Sequence, residues 1–157
     1  MSLHIVLYQP EIPANTGNIA RTCLATDTTL HLIHPLGFST EDKMLRRAGL
    51  DYWKKVDIQE HPSIDALYAT YPGGTYYYVE NFGTAQYTDY DYSNADEDIF
   101  FVFGRETDGI PKSLIEGKEE QCLRIHMNDK VRSLNLSNTA AIIIYEALRQ
   151  QKFPGLS

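Results

Sequence analysis

The stretch Val131-Arg132-Ser133-Leu134-Asn135-Leu136-Ser137-Asn138, which runs into Thr139-Ala-Ala-Ile-Ile-Ile-Tyr-Glu-Ala-Leu-Arg-Gln-Gln151, decides the fold. Its front half is polar, and short Ser and Asn side chains favour helix N-caps because they accept a hydrogen bond from an unpaired N–H. Its back half is apolar on nearly every helical face from Ala140 to Tyr145. Such a helix must be buried almost all round. Two interpretations remain open: a capped core helix, or a helix that also packs against a second subunit.

Upstream of this stretch, buried strand-like runs alternate with helical patterns. The predicted strands are Leu3–Tyr8, Thr29–Ile33, Val56–Ile58, Thr75–Val79, Ile99–Phe103 and Leu123–Ile125. The predicted helices are one capped by Asn15 or Thr16, one over Glu41–Ala48, one opened by Ser63, a short one after Pro111 and the final one. This alternation predicts an α/β fold with a mainly parallel sheet flanked by helices. We expect a single domain over residues 1–157, with residues 80–98 mostly a loop.

Composition narrows the class of protein. The chain of 157 residues has a net charge of −7, which argues against a non-specific nucleic-acid binder with a broad basic face. No segment approaches the ~20 apolar residues of a membrane span. Cys23 and Cys122 lie in apolar contexts without metal-ligand spacing, so we interpret both as reduced core residues. We therefore expect a cytoplasmic protein with no membrane segment and no metal.

Positive charge is concentrated in one segment. Five of the 14 basic residues fall between positions 43 and 55, namely Lys43, Arg46, Arg47, Lys54 and Lys55. A local basic patch can bind phosphates even on an acidic protein. The alternative is an ordinary solvated face.

Three polar clusters are predicted to meet where ligands bind in such sheets, beyond the carboxyl ends of the strands. They are Asn15–Arg21, Gly104–Pro111 and Arg132–Asn138. Taken singly, the first is explained by a capped helix with a surface arginine, the second by a glycine turn and the third by a cap. Their convergence at one sheet edge favours a binding site. No dinucleotide fingerprint or Walker A sequence is present, and the five histidines are scattered.

These clusters also carry a resemblance. Asn15-x-Gly-Asn-Ile-x-Arg21, Phe103-Gly-Arg-Glu-x-x-Gly-Ile-Pro111 and Arg132-Ser-Leu-Asn-Leu-Ser-Asn138 resemble, in order, the three motifs of the SPOUT-class RNA ribose 2′-O-methyltransferases. The start Tyr8-x-Pro-Glu-Ile-Pro-x-Asn-Thr-Gly-Asn18 and the segment Leu45–Tyr52 are similar to the subgroup that modifies cytidine or uridine 34, the wobble nucleotide of tRNA.

The resemblance implies features that composition cannot give. It implies a C-terminal trefoil knot, one of the rare exceptions to unknotted topology, and a homodimer through the final helix. It implies S-adenosyl-L-methionine as cofactor and tRNA as substrate. The implied cofactor contacts are Val79, Gly104, Ile125 and Ser133, with Glu106, Met127 and Leu134 nearby.

For chemistry, the resemblance places Arg21 beside the target ribose. Arginine is effectively always protonated and is a poor base by itself, so we expect Arg21 to position the phosphate and ribose. Asn15, Asn135 and Tyr145 are expected to complete the pocket, and Arg21 of one subunit to serve the site of the other. Three alternatives stay open: methylation at another tRNA or ribosomal RNA site, a non-catalytic RNA-binding or assembly protein with the same fold, and a small-molecule methyltransferase.

Overall fold

The computed structural model describes residues 2–157, with the side chains of residues 49–51 left out of the description. It contains seven strands: β1 (Leu3–Tyr8), β2 (Thr29–Ile33), β3 (Ile58–His61), β4 (Thr75–Val79), β5 (Ala85–Gln86), β6 (Ile99–Phe103) and β7 (Cys122–Arg124). All strand pairs are parallel, in the order β3-β2-β1-β6-β4-β7-β5. The predicted α/β class with a mainly parallel sheet is therefore confirmed.

The centre of the sheet is formed by the most apolar strands. Every residue of β6 and β2 is buried, as are the first five of β1. Strands buried on both faces read as continuous apolar runs rather than as alternating patterns. This explains why β1, β2, β4 and β6 were predicted with the bounds that the structure gives them.

Five α-helices flank the sheet: α1 (Pro13–Ala25), α2 (Lys43–Gly49), α3 (Ile64–Thr70), α4 (Lys112–Ile115) and α5 (Leu136–Gln150). A 3-10 helix, Leu50–Lys55, continues α2, and two shorter ones cover Tyr87–Asp89 and Glu119–Gln121. α1 packs against α2 and α5. The prediction for α3 is confirmed, since the Ser63 hydroxyl accepts a hydrogen bond from Ala66 N at 3.2 Å.

The predicted start of α1 was wrong. The helix begins at Pro13 after Ile12, which provides no side-chain cap, so Asn15 and Thr16 lie inside the helix. Proline suits the first helical position because its missing N–H would have no partner there. Arg21 therefore lies about two turns into the helix.

The final helix is one-sided within the chain. It starts at Leu136, capped by Asn135, and buries Ala140, Ile143, Ile144, Ala147 and Leu148. Tyr145 is 46% exposed, so the expectation of burial all round does not hold for the single chain.

β5 and β7 form the far edge of the sheet, and β5 lies within the segment predicted as loop. The chain leaves β4, crosses the start of β7 and forms β5 on its far side. A Cβ at Gly83 would lie 3.1 Å from Cys122 O, so glycine permits this close crossing. The end of α5 then packs back on the same region, where Tyr92 N donates to Gln150 Oε1 at 2.6 Å.

Candidate active site

A cleft of about 650 Å³ opens at the carboxyl ends of β4 and β6. Its walls come from the three polar clusters and from the loop after β4. The lining residues are Ile12, Asn15, residues 79–81, residues 103–109, residues 132–136 and Thr139. Ligand sites in proteins typically occupy 300–1,000 Å³. The predicted convergence of the clusters at one sheet edge is thus observed as a single cavity.

Glu106 fastens the loop after β6 to the start of α1. Its carboxylate accepts hydrogen bonds from Glu11 N at 2.9 Å, Ile12 N at 3.0 Å and Asn15 Nδ2 at 3.2 Å. The first turn of a helix has unpaired N–H groups and a partial positive charge, so a carboxylate there is stabilised. Glu106 thus holds the two residues that precede α1, Glu11 and Ile12, and the side chain of Asn15 in its first turn.

Asn15 continues this network to the last loop. Its Oδ1 accepts a hydrogen bond from Asn135 Nδ2 at 3.1 Å, while Asn135 Oδ1 caps α5 by accepting from Ser137 N at 2.9 Å. Asn15 is only 7% exposed. Both asparagines therefore use their amides to hold the walls of the cleft together.

A second contact joins the loop after β1 to the loop after β6. Gln9 Oε1 accepts from Arg105 Nε at 2.9 Å, and Arg105 lies 5.3 Å from the ring centroid of Tyr8. Glu11 Oε1 accepts from the hydroxyl and the N–H of Thr107 at 2.8 and 3.1 Å. Together with the Glu106 bonds, these contacts make the two loops one rigid wall.

Glu80 is a cleft residue outside the predicted site residues, although its loop, residues 80–83, follows the predicted strand Thr75–Val79 and was expected at the ligand-binding edge. Its Oε1 accepts from Ile110 N at 2.5 Å. Burial raises the pKa of this carboxyl, against the opposing effect of hydrogen bonds from Ile110 and Asn81 N–H. A Cβ at Gly109, whose φ is +72°, would lie 2.9 Å from Glu80 Oε1, so glycine is needed at that position. The signal available in the sequence was an acidic residue directly after a buried strand.

The predicted cofactor contacts divide into two groups. Five line the cleft: Val79, Gly104, Glu106, Ser133 and Leu134. Ile125 and Met127 are not among the lining residues, and their side chains pack in or against the main hydrophobic core. Gly104 also has a structural role, since a Cβ there would lie 2.1 Å from the backbone of Gly109.

The four predicted catalytic residues also fall into two groups. Asn15 and Asn135 line the cleft, whereas Arg21 and Tyr145 lie elsewhere. Arg21 is exposed on α1, with its guanidinium carbon 5.1 Å from the ring centroid of Tyr52. Tyr145 lines a second groove of about 580 Å³ together with Ala25, Phe153, Gly155, Leu156 and Ser157. Arg21 and Ala25 are four positions apart and share a face of α1, so Arg21 lies on the side of that groove.

The basic segment forms α2 and the 3-10 helix beside α1. Lys43, Arg47, Lys54 and Lys55 are exposed. Arg46 differs, because its Nε donates to Thr40 O at 2.8 Å, its Nη2 to Glu41 at 3.2 Å, and its guanidinium lies 5.8 Å from the Trp53 ring centroid. In the related segment Leu45–Tyr52, the side chains of residues 49–51 lie outside the described residues.

The described part of the chain lacks two kinds of feature. Residues 2–157 contain no group of three or more His, Cys, Asp or Glu side chains that could hold a metal ion. Within the same residues no helix is long and apolar enough to cross a membrane.

Comparison with known proteins agrees with the motifs. Residues 2–145 match the family described as "SpoU rRNA Methylase family". A Geobacillus stearothermophilus protein, provisionally named tRNA (cytidine(34)-2′-O)-methyltransferase, is 63% identical over 100% of both chains. A Bacillus anthracis structure, provisionally described as an RNA methyltransferase, superposes with a TM-score of 0.94 at 62% identity, covering 99% of this chain and 98% of that one. A structure reported under "Structural insights into the 2-OH methylation of C/U34 on tRNA" gives a TM-score of 0.87 at 40% identity, covering 96% and 97%.

Proposed function

The chain belongs to the SpoU rRNA methylase family, and on that premise we propose that it methylates the ribose 2′-hydroxyl of nucleotide 34 of tRNA, with S-adenosyl-L-methionine as methyl donor. The observation that carries this proposal is the single cleft built by all three sequence motifs at the carboxyl edge of the sheet. The relatives that match over their full length carry this activity in their names.

The residues of the cleft fit the cofactor. Val79, Phe103, Leu134 and Leu136 supply apolar surface suited to an adenine ring, and the loops supply backbone N–H and C=O groups. Glu80 and Glu106 supply negative charge suited to a cation. When bound, S-adenosylmethionine supplies an electrophilic methyl group on a positively charged sulfur. Ile125 and Met127 belong to this proposal only through their backbone atoms, since their side chains are directed into the core.

We assign Arg21 to the RNA rather than to the cofactor. Arg21 forms no ion pair among the described residues, and it stands away from the cleft of its own chain. A permanently charged guanidinium binds phosphate well and is a poor proton acceptor. Its role is to fix the phosphate and ribose so that the 2′-oxygen meets the methyl carbon in line. Positioning of this kind can supply roughly 7–11 kcal/mol of the acceleration.

We further propose a homodimer that closes over α1 and α5. The support is the groove at Tyr145, in which two large apolar side chains are exposed, Tyr145 at 46% and Phe153 at 39%. Exposed apolar patches of this kind normally mark interfaces. In such a dimer, Arg21 and Tyr145 of one subunit complete the cleft of the other, which accounts for their distance from their own cleft.

Three further expectations accompany the proposal: a single domain, a trefoil knot and a cytoplasmic location. Residues 1–157 form one domain, with a C-terminal trefoil knot supported by the insertion of β7 between β4 and β5 and by the packing of α5 on the segment around Tyr92. The protein acts in the cytoplasm, in keeping with two free, buried cysteines.

The decisive experiment is methyl transfer from labelled S-adenosylmethionine to tRNA by the purified protein, with the modified nucleotide mapped by nuclease digestion and mass spectrometry. The matched control is a tRNA with 2′-deoxycytidine at position 34, which lacks the acceptor oxygen. We expect incorporation into the first RNA only. Equal incorporation into both would overturn the assignment of the site, and no incorporation with intact RNA binding would favour a non-catalytic RNA-binding protein.

A further inference from the structure

Phe82 is the most exposed large hydrophobic residue in the described part of the chain, at 57%. It lies in the loop after β4, next to the cleft residues Glu80 and Asn81. Its ring belongs to neither hydrophobic core cluster and makes no aromatic contact among the described residues. Single exposed apolar residues need no explanation. Phe82 is unusual because the backbone of its loop is fixed at both ends.

The loop that carries Phe82 is a tight, anchored turn. Gly83 N donates to Glu80 O at 3.2 Å, which places Asn81 and Phe82 at the two central positions. Glu80 N donates to Leu123 O at 2.9 Å, and buried Gly83 rests on Cys122 of β7. The central positions of turns usually hold Gly, Asn, Asp or Pro. Here a phenyl ring is presented to solvent on a backbone fixed at both ends.

The turn is also fixed to the last loop of the cleft. Asn81 Nδ2 donates to Arg132 O at 2.8 Å, across 51 positions of sequence. Next to Arg132 stands Val131, which is 52% exposed. Lys130 and Arg132 are exposed and form no ion pair among the described residues. The mouth of the cleft therefore presents two apolar side chains with two unpaired cations beside them.

This combination fits single-stranded RNA. Bases outside a helix are recognised by stacking on aromatic side chains, with cationic side chains along the backbone. We propose that Phe82 is a stacking platform for an unpaired base of the anticodon loop adjacent to the target ribose, with Lys130 and Arg132 holding neighbouring phosphates. The inference rests on the proposed function, because the ribose must enter the cleft and its neighbouring base must then lie at the mouth.

The test uses the full-length protein, the cofactor and an anticodon stem–loop with 2-aminopurine next to nucleotide 34. Phe82→Ala, Phe82→Leu, Phe82→Tyr and Phe82→Trp are compared with the wild type. Leu is the matched control, since it keeps apolar volume and removes the aromatic face. We expect Ala and Leu to weaken stem–loop affinity by about 5- to 150-fold, to raise KM more than they lower kcat and to lose the stacking quench of 2-aminopurine. Tyr and Trp should behave as wild type, and cofactor affinity should be unchanged in all four.

The outcomes separate this inference from the proposed function. Wild-type methylation together with wild-type affinity in Phe82→Ala, or equal affinity of the Leu and Trp variants, overturns the stacking role alone. Dissociation of the dimer by Phe82→Ala in sedimentation would show that the ring contacts a second copy, which also overturns it. Failure of the wild type to bind the stem–loop overturns the inference, whereas binding without methylation contradicts only the proposed reaction.

Discussion

Asn135 donates a hydrogen bond from its Nδ2 to Oδ1 of Asn15 at 3.1 Å, across 120 positions of sequence. The other atom of the same amide, Oδ1, caps α5. Asn15 in turn donates to Glu106 at 3.2 Å. One side chain thus couples the start of the final helix to α1, and through α1 to the loop after β6. The arrangement of the cleft walls therefore depends on the hydrogen bonds that link Asn135, Asn15 and Glu106.

Variants of Asn135 should separate its role as the cap of α5 from its hydrogen bond to Asn15. Asn135→Ala removes both and should lower the free energy of unfolding by about 1 kcal/mol, a typical cap loss. Asn135→Asp keeps a good cap but sets an acceptor against Asn15 Oδ1, so any loss of stability in this variant comes from the bond to Asn15 rather than from the cap. Both should weaken cofactor binding in calorimetry. Wild-type cofactor affinity in Asn135→Asp would show that the bond to Asn15 does not shape the cleft.

Two substitutions on α5 should distinguish the outer face from the core. Tyr145→Asp changes a half-exposed residue in the second groove and should dissociate the proposed dimer while leaving the fold intact. Ile143→Asp places a charge at a position with 0% exposure and should unfold the chain. Sedimentation gives the mass and circular dichroism gives the fold. A wild type that sediments only at 17.9 kDa would contradict the dimer.

The sequence predicted the central sheet because buried parallel strands are encoded locally, as in Ile99–Phe103. It did not predict the start of α1, because this helix begins at Pro13 without a side-chain cap, and the residues before it are held by Glu106, which is distant in sequence. It did not predict β5, since two residues carry no periodicity. The cleft and the loop after Thr75–Val79 could be located from the sequence, whereas the contacts of Glu80 with Ile110 and Gly109 required the structure.

The basic segment gives a prediction about RNA binding. Arg46 is excluded from it because its contacts within the protein give it a structural role. Reversing the exposed Arg47, Lys54 and Lys55 to Glu should reduce tRNA affinity and methylation. It should also flatten the dependence of log affinity on log salt by of order one per lost phosphate contact, by analogy with DNA. Cofactor binding should not change. Arg46→Glu is the contrast, because it should lower stability by breaking the bond to Thr40. Normal tRNA methylation by the triple variant would leave the segment as a solvated face.

Three histidines that are scattered in the sequence form one buried chain. His4 Nδ1 lies 2.9 Å from His31 Nε2, and His31 Nδ1 lies 2.9 Å from His61 Nε2, while His4 Nε2 lies 3.0 Å from Asp98. With the His4 proton on Nε2 facing Asp98, the Nδ1 atoms of His4 and His31 each accept from Nε2–H of the next ring, and this arrangement needs no positive charge on any of the three rings. Burial lowers the pKa of all three, that of His31 to about 3 with further lowering by His4 and His61.

This row of three histidines predicts that the fold is less stable at acidic pH. A histidine whose folded pKa is depressed stabilises the fold fully above its unfolded pKa, about 6.5. That stability is lost as pH falls toward the folded value, because the unfolded state binds more protons. Between pH 7.5 and 5, His31 alone should cost about 2 kcal/mol. Denaturant unfolding at both pH values measures the loss, and His31→Gln, which cannot titrate, should reduce it. Equal wild-type stability at pH 7.5 and 5 would contradict the neutral chain.

Arg21 should act across the dimer. Arg21→Ala should abolish or greatly reduce methylation with little change in cofactor affinity, because the side chain stands away from its own cleft.

Ser133→Trp should block the cleft, since Ser133 is an exposed residue of its wall. A heterodimer of the two variants carries one intact cleft, on the Arg21→Ala subunit, and one intact Arg21, on the other. If Arg21 serves the partner's cleft, mixing two inactive homodimers under exchange should restore up to about half of the wild-type activity per heterodimer, because one of its two sites is complete. Mixtures that stay inactive after exchange, proven by differently tagged subunits, would place Arg21 in the site of its own chain.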